Sequence, residues 1–208
     1  MACALFGEAG CNRWGRLPVT VLPETFAGNA GNDMANMGIS TGGSGSRTYK
    51  YYEGQFGQPL YEFGFGLSLV PFSVAWAAPN PASPSTVSPT ANVSIAVVAK
   101  NLGRREGDVV LMLYHHPRET ATTLVGLPAG VPIPQRRLVG YARLSLAAGA
   151  EGRAEFTVTP ESLALVDNNG DTQLYAGTHQ LRVSQGSGAE LSREFEVPAT
   201  AVLRTLVW

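Results

Sequence analysis

From residue 92 onward, apolar and polar residues alternate with the period of strands that bury one face. NVSIAVVAKN (92–101) places Val93, Ile95, Val97 and Ala99 on one side. DVVLMLYHH (108–116) follows the Gly-containing turn NLGRREGD, and RRLVGYARLSL (136–146) predicts a strand in which Gly140 marks a bulge. EGRAEFTVTP (151–160) points Ala154, Phe156 and Val158 inward, and VDNNGDTQLY (166–175) bends at Asn169-Gly170. HQLRVSQGSG (179–188) and AELSREFEV (189–197) predict a last hairpin around Gly186 and Gly188. The Pro- and Gly-containing stretch 117–134 reads as a long loop. About seven strands joined by short turns predict a mainly β chain folded as an antiparallel β-sandwich of the immunoglobulin-like class.

The first 90 residues follow no such pattern. Residues 2–8 read as a helical stub stopped by Gly10, and GRLPVTVLP (15–23) as an edge strand. Residues 27–46 are small, polar and Gly-rich, and need a neighbour to order them. RTYKYYEG (47–54) and PLYEFGFGLSLVPFSVAW (59–76) are dense in aromatics, and PNPASPSTVSPT (79–90) predicts a polyproline-like surface loop. The expected division is an N-terminal element at 1–26, a linker at 27–90, the sandwich at 91–198 and a tail at 199–208. The Cys–Trp–Cys core of antibody domains is absent, so the nearest architecture is the fibronectin type III one.

Composition narrows the function. The 208 residues carry 15 basic and 16 acidic side chains, so no basic excess is available to neutralise phosphates, and nucleic-acid partners are not expected. Charged residues are only 15%, while 24 glycines and 14 prolines suit a turn-rich β protein. Apolar runs fall short of the ~18 residues of a membrane-spanning helix, and MACALFGEAG shows no basic, then apolar, leader pattern. Cys3 and Cys11 are the only cysteines, which leaves neither a disulfide framework nor a Cys-rich zinc site.

Candidate chemistry is sparse. GGSGS (42–46) lacks the strand and helix that frame a nucleophile elbow. His115, His116 and Asp108 read either as metal ligands or as a polar strand end. Glycoside hydrolysis needs two carboxyl groups about 5–10 Å apart. Outside the sandwich, Glu8, Glu24, Asp33, Glu53 and Glu62 are the candidates, though nothing in their spacing pairs them. Tyr49, Tyr51, Tyr52, Phe56, Tyr61, Phe63 and Phe65 could stack on sugars or pack the linker against its neighbour. Asn92-Val93-Ser94 is a glycosylation sequon, usable only in a secreted chain.

Several stretches then resemble one family. GRLPVT (15–20), DMANM (33–37), GSRTYKYYEG (45–54) and PLYEFGFGLSLVPFSV (59–74) resemble the α/β sandwich edge and linker of glycoside hydrolase family 3. The order of the first motifs is most similar to the β-xylosidase branch. VVAKNLGRREGDVVLMLYHHP (97–117), RRLVGYARLSLAAGAEGRAEFTVT (136–159) and LVDNNGDTQLYAGTHQLRVS (165–184) resemble its fibronectin type III-like C-terminal domain. The resemblance implies a part in hydrolysing O-glycosyl bonds, β-glycans or oligosaccharides as partners, no cofactor, and an extracellular or vacuolar place. It also implies a catalytic aspartate on an N-terminal (β/α)₈ barrel and an acid/base glutamate in the α/β domain. No residue here matches either motif, so no catalytic, cofactor or metal residue is assigned. A barrel needs roughly 250 residues, more than the chain holds. The expectation is therefore a C-terminal accessory piece, non-catalytic alone, whose barrel lies upstream or in another chain. The alternative is a free-standing carbohydrate- or protein-binding module.

Overall fold

A computed structural model describes residues 2–6, 8, 10–26, 47–54, 56–78, 85–131 and 133–206. The Gly-rich stretch 27–46, with Asp33, DMANM and GGSGS, lies outside these, as do residues 79–84 of the proline-rich loop.

Two sheets face each other. One has the order β1 (Phe72–Trp76), β3 (Val93–Asn101), β6 (Glu151–Val158). The other runs β2 (Ser85–Thr86), β10 (Leu191–Val197), β9 (Gly177–Ser184), β4 (Gly107–His115), β5 (Arg137–Leu146). Pairing is antiparallel except between β2 and β10. A third, small sheet orders β11 (Ala201–Arg204), β8 (Thr172–Leu174) and β7 (Leu165–Val166). The core between the two large sheets takes the alternate apolar residues the sequence marks. They include Ile95 and Val97 of β3, Ala154, Phe156 and Val158 of β6, Val109, Leu111 and Leu113 of β4, and Leu181, Val183 and Phe195 from β9 and β10. The antiparallel sandwich expected from periodicity is the fold observed.

Local signals explain the corners. The β4–β5 register shifts where Leu113 pairs with Gly140 and Tyr114 with Leu138, which leaves Val139 as the extra residue of a bulge. The β7–β8 turn is organised by Asp167. Its Oδ1 accepts from the backbone N–H of Asn169 and Asp171, and its Oδ2 accepts from Gln173. Asn101, the last residue of β3, is fully buried. Its Nδ2 donates to the carbonyls of Arg105 and Leu146, and its Oδ1 accepts from Gly103 N–H, which closes the turn into β4. Thr159 caps the short helix Pro160–Leu163 by accepting from Ser162 N–H.

The N-terminal region forms an arm over the outer face of the five-stranded sheet. Helix α1 (Ala2–Phe6) is the stub the sequence predicts, and Cys3 is joined to Cys11 by a disulfide. The segment 15–23 is not the edge strand expected of it. Pro18 and Pro23 remove backbone donors, and a single bridge, Val21 with Tyr61, survives. Hydrogen bonds from Leu17 N–H to Phe65 O and from Gly64 N–H to Leu17 O hold the arm's two halves together. Phe72–Trp76, within the stretch read as linker, pairs along its length with β3, and Trp76 lies under the Arg193 guanidinium. Residues 201–204, within the stretch read as tail, pair with β8.

Candidate functional site

Strand β4 is buried on both sides, as its unbroken run Val109–Tyr114 demands. Its outward Val110, Met112 and Tyr114 form a second apolar cluster against Tyr49 and Phe63 of the arm and Leu138 of β5. Tyr49 stacks on Phe63 with centroids 4.1 Å apart, and its hydroxyl accepts from Leu138 N–H at 3.2 Å. Tyr114 is 1% exposed, and burial pushes its phenol up to about 12. Tyr52 donates to Gly57 O and meets Phe26 edge-on. The aromatic cluster marked in the sequence is thus the packing surface between arm and sheet. Its members Tyr49, Tyr52, Phe63 and Phe65 are buried or half-buried, while Tyr61 is exposed beside Phe65.

The glycines of FGFG permit this contact. Gly64 has φ +83°, and a Cβ there would lie 2.6 Å from Met112 Cε and 2.7 Å from Tyr114 Oη. Gly186, in the β9–β10 turn, has φ +88°, and a Cβ would lie 2.4 Å from Gly64 O. Arg16 fills the remaining gap and donates from Nε to Gln185 O at 2.9 Å. At the other end Asn12 is 2% exposed, donates to Glu106 O and accepts from Trp14 Nε1, and its carbonyl accepts from Asp108 N–H.

Between arm and sheet lies an open cleft of about 690 Å³. Tyr49, Tyr52, Gln58 and Pro59 line one wall, and His116, Gln135 and Glu190 line the other. Ion pairs tie the walls together: Arg118 to Glu53, and Arg136 Nη2 to Glu62 Oε2 at 2.7 Å. A third, Arg182 with Glu119, stands on the sheet side, and Glu119 Oε1 also lies 3.4 Å from His116 Nδ1. His116 is 6% exposed, and burial, then the guanidiniums of Arg182 and Arg136, lowers its pKa to about 4.

Of the carboxylates proposed from sequence, Glu53 and Glu62 both reach the cleft, each engaged by a guanidinium. Glu8 and Glu24 are exposed elsewhere, and Asp33 lies outside the described residues. His115, His116 and Asp108 do not converge. Asp108 sits at the opposite end of β4, bound by Arg143 and Ser145, and the two histidines point to opposite faces. Among the described residues no group of three His, Cys, Asp or Glu side chains could hold a metal.

His115 has a different role. It is fully buried and hydrogen-bonds through Nε2 to His179 Nδ1 at 3.1 Å, while His179 Nε2 donates to Tyr175 O at 2.9 Å. The carbonyl fixes the His179 proton on Nε2, so the bond between the rings is donated by His115. His115 Nδ1 is then the acceptor, and it meets no partner among the described residues. Burial first, then His179, Arg137 and His116, drives the His115 pKa well below its ordinary value. Burial also lowers His179, against the opposing pull of the Tyr175 carbonyl. Sequence showed neither this pair, 64 residues apart, nor the cleft arginines.

Residues 109–187 match a fibronectin type III-like domain. The exo-1,4-β-xylosidase bxlB of Emericella nidulans is 31% identical over 81% of the chain, and a β-glucosidase of Rhizobium radiobacter is 29% identical over 88%. The chain spans 22% of the length of each. A β-glucosidase of Kluyveromyces marxianus, solved with glucose, superposes with a TM-score of 0.59 at 21% identity, over 76% of this chain and 18% of that one. A Listeria innocua β-glucosidase, also solved with glucose, gives 0.58 at 20% identity, over 86% and 22%. The chain contains a fibronectin type III-like domain and is related, over most of its length, to the C-terminal part of glycoside hydrolase family 3 β-xylosidases and β-glucosidases.

Proposed function

We propose that this chain is an accessory region of a family 3 β-xylosidase or β-glucosidase, and that alone it hydrolyses no glycoside. One observation carries the reading. The arm is fastened to the sandwich on its inner side yet leaves Val19, Leu60, Tyr61 and Leu67 exposed. Large apolar side chains left exposed on an arm that is otherwise packed against the sheet are available to another domain. The relatives supply the candidate, because most of their length has no counterpart here.

In this reading residues 1–26 belong to the edge of an α/β domain, and the sandwich, which takes β1 and β2 from the stretch before residue 91, is the platform on which the described arm is held. The carboxylates of the cleft support it. Glu53 and Glu62 are each locked to an arginine, an arrangement that fixes the arm rather than poising an acid beside a nucleophile. The assembled protein acts on β-glycosides, as the relatives' names imply for them.

The test is direct. Purified chain incubated with aryl β-xyloside and aryl β-glucoside should release no more aglycone than buffer. Turnover that scales with protein and survives repurification overturns the proposal.

A further inference from the structure

We propose that the cleft between arm and sheet binds a neutral saccharide. This does not rest on the accessory reading, since a chain that hydrolysed glycosides could hold a sugar here as well. The argument is chemical complementarity. The volume of about 690 Å³ falls within the ~300–1,000 Å³ of small-molecule sites. Its three guanidiniums each hold one carboxylate, and Glu190 adds a fourth carboxylate. A ligand anion would have to displace a carboxylate from its arginine and would also face Glu190, so negative charge on the ligand is disfavoured.

What the pairs leave available are the remaining N–H groups of the arginines and the remaining lone pairs of the carboxylates, side by side at short range. Adjacent sugar hydroxyls each donate one hydrogen bond and accept others, so a vicinal diol can bridge such a pair without breaking it. Gln58 and Gln135 add amides that both donate and accept. Tyr49 and Pro59, both part-exposed, contribute apolar surface to the C–H face of a pyranose. A purely apolar ligand would strand the ion pairs away from water. The walls are also held in place: the Arg118–Glu53 and Arg136–Glu62 pairs span them, and Gln135 is pinned by bonds to Tyr52 O and Lys50 O. Little ordering remains for the ligand to impose.

Saturation-transfer NMR on the full chain at pH 7.5 tests this with xylobiose, cellobiose and glucuronate. The expected result is saturable, millimolar-range binding of at least one neutral disaccharide and at least tenfold weaker binding of glucuronate. Arg118→Gln and Glu119→Gln should each weaken the disaccharide about tenfold while melting within about 1 °C of the parent, since both side chains are substantially exposed. No saturable binding of either disaccharide, glucuronate binding as tightly as the sugars, or unchanged affinity in both variants would overturn the proposal. None of these outcomes alters the aglycone-release assay, so the two proposals fail separately.

Discussion

The two faces of β4 are buried by different means. Its inner face meets a second sheet, where regular strands present side chains at a fixed period. Its outer face meets an irregular arm held by single hydrogen bonds, close glycine contacts and exposed ion pairs. The inner contact depends on apolar volume, and the outer one on a few positions that tolerate no Cβ. Mutations should therefore separate the two: inner changes should unfold the domain, and outer ones should release the arm.

The largest effect is expected inside. Leu111→Ala, at a fully buried position, should cost about 2–5 kcal/mol in denaturant unfolding. If Met112→Ala, one residue along on the outer face, costs as much, the two faces are one cooperative core and the contrast fails.

Acid is the second probe. The unfolded chain protonates His115, His116 and His179 near pH 6.5, whereas all three are held neutral in the fold. Stability is therefore complete above pH 6.5 and falls as pH drops, down to about 4 for His116. Each histidine contributes at most about 1.4 kcal/mol per pH unit. His116→Gln should remove one proton's worth of this slope and leave that of the inner pair. Melting that does not change between pH 7.5 and 5 would contradict it.

Gly64→Ala comes next. Left-handed strain and contact with Met112 and Tyr114 should cost about 1–3 kcal/mol and speed limited proteolysis within the arm before the sandwich is cut. Uniform cleavage of both regions would show that arm and sandwich open together. The smallest effect belongs to Cys3–Cys11. It joins residues only eight apart in sequence at the periphery, so reduction should shift the main melting transition by less than about 1 °C.

What could be read from the sequence follows the same divide. Alternation in 92–101 and 151–160 marked β3 and β6, and the Gly140 bulge and Asn169-Gly170 turn fell where residue chemistry put them. Phe72–Trp76 passed as linker because Pro71 and the surrounding glycines and aromatics masked a five-residue alternation. The 15–23 stretch misled in the opposite sense, since its alternation lacked the donors to make a ladder. In the cleft, Tyr49, Glu53 and Glu62 stood out by type, but Arg118, Arg136 and Arg182 did not. Their role comes from segments that meet only after folding, and the same holds for His115 with His179.

The Val139 bulge has a consequence for crowded solution. β5 is the ten-residue outer strand of its sheet and the longest among the described residues, so its free side offers a template on which a second chain could grow. The extra residue throws that side out of step near the start of its ladder. On the opposite sheet, β6 guards its own free side with Glu151, Arg153 and Glu155. One inserted residue thus helps keep this sandwich from polymerising edge to edge.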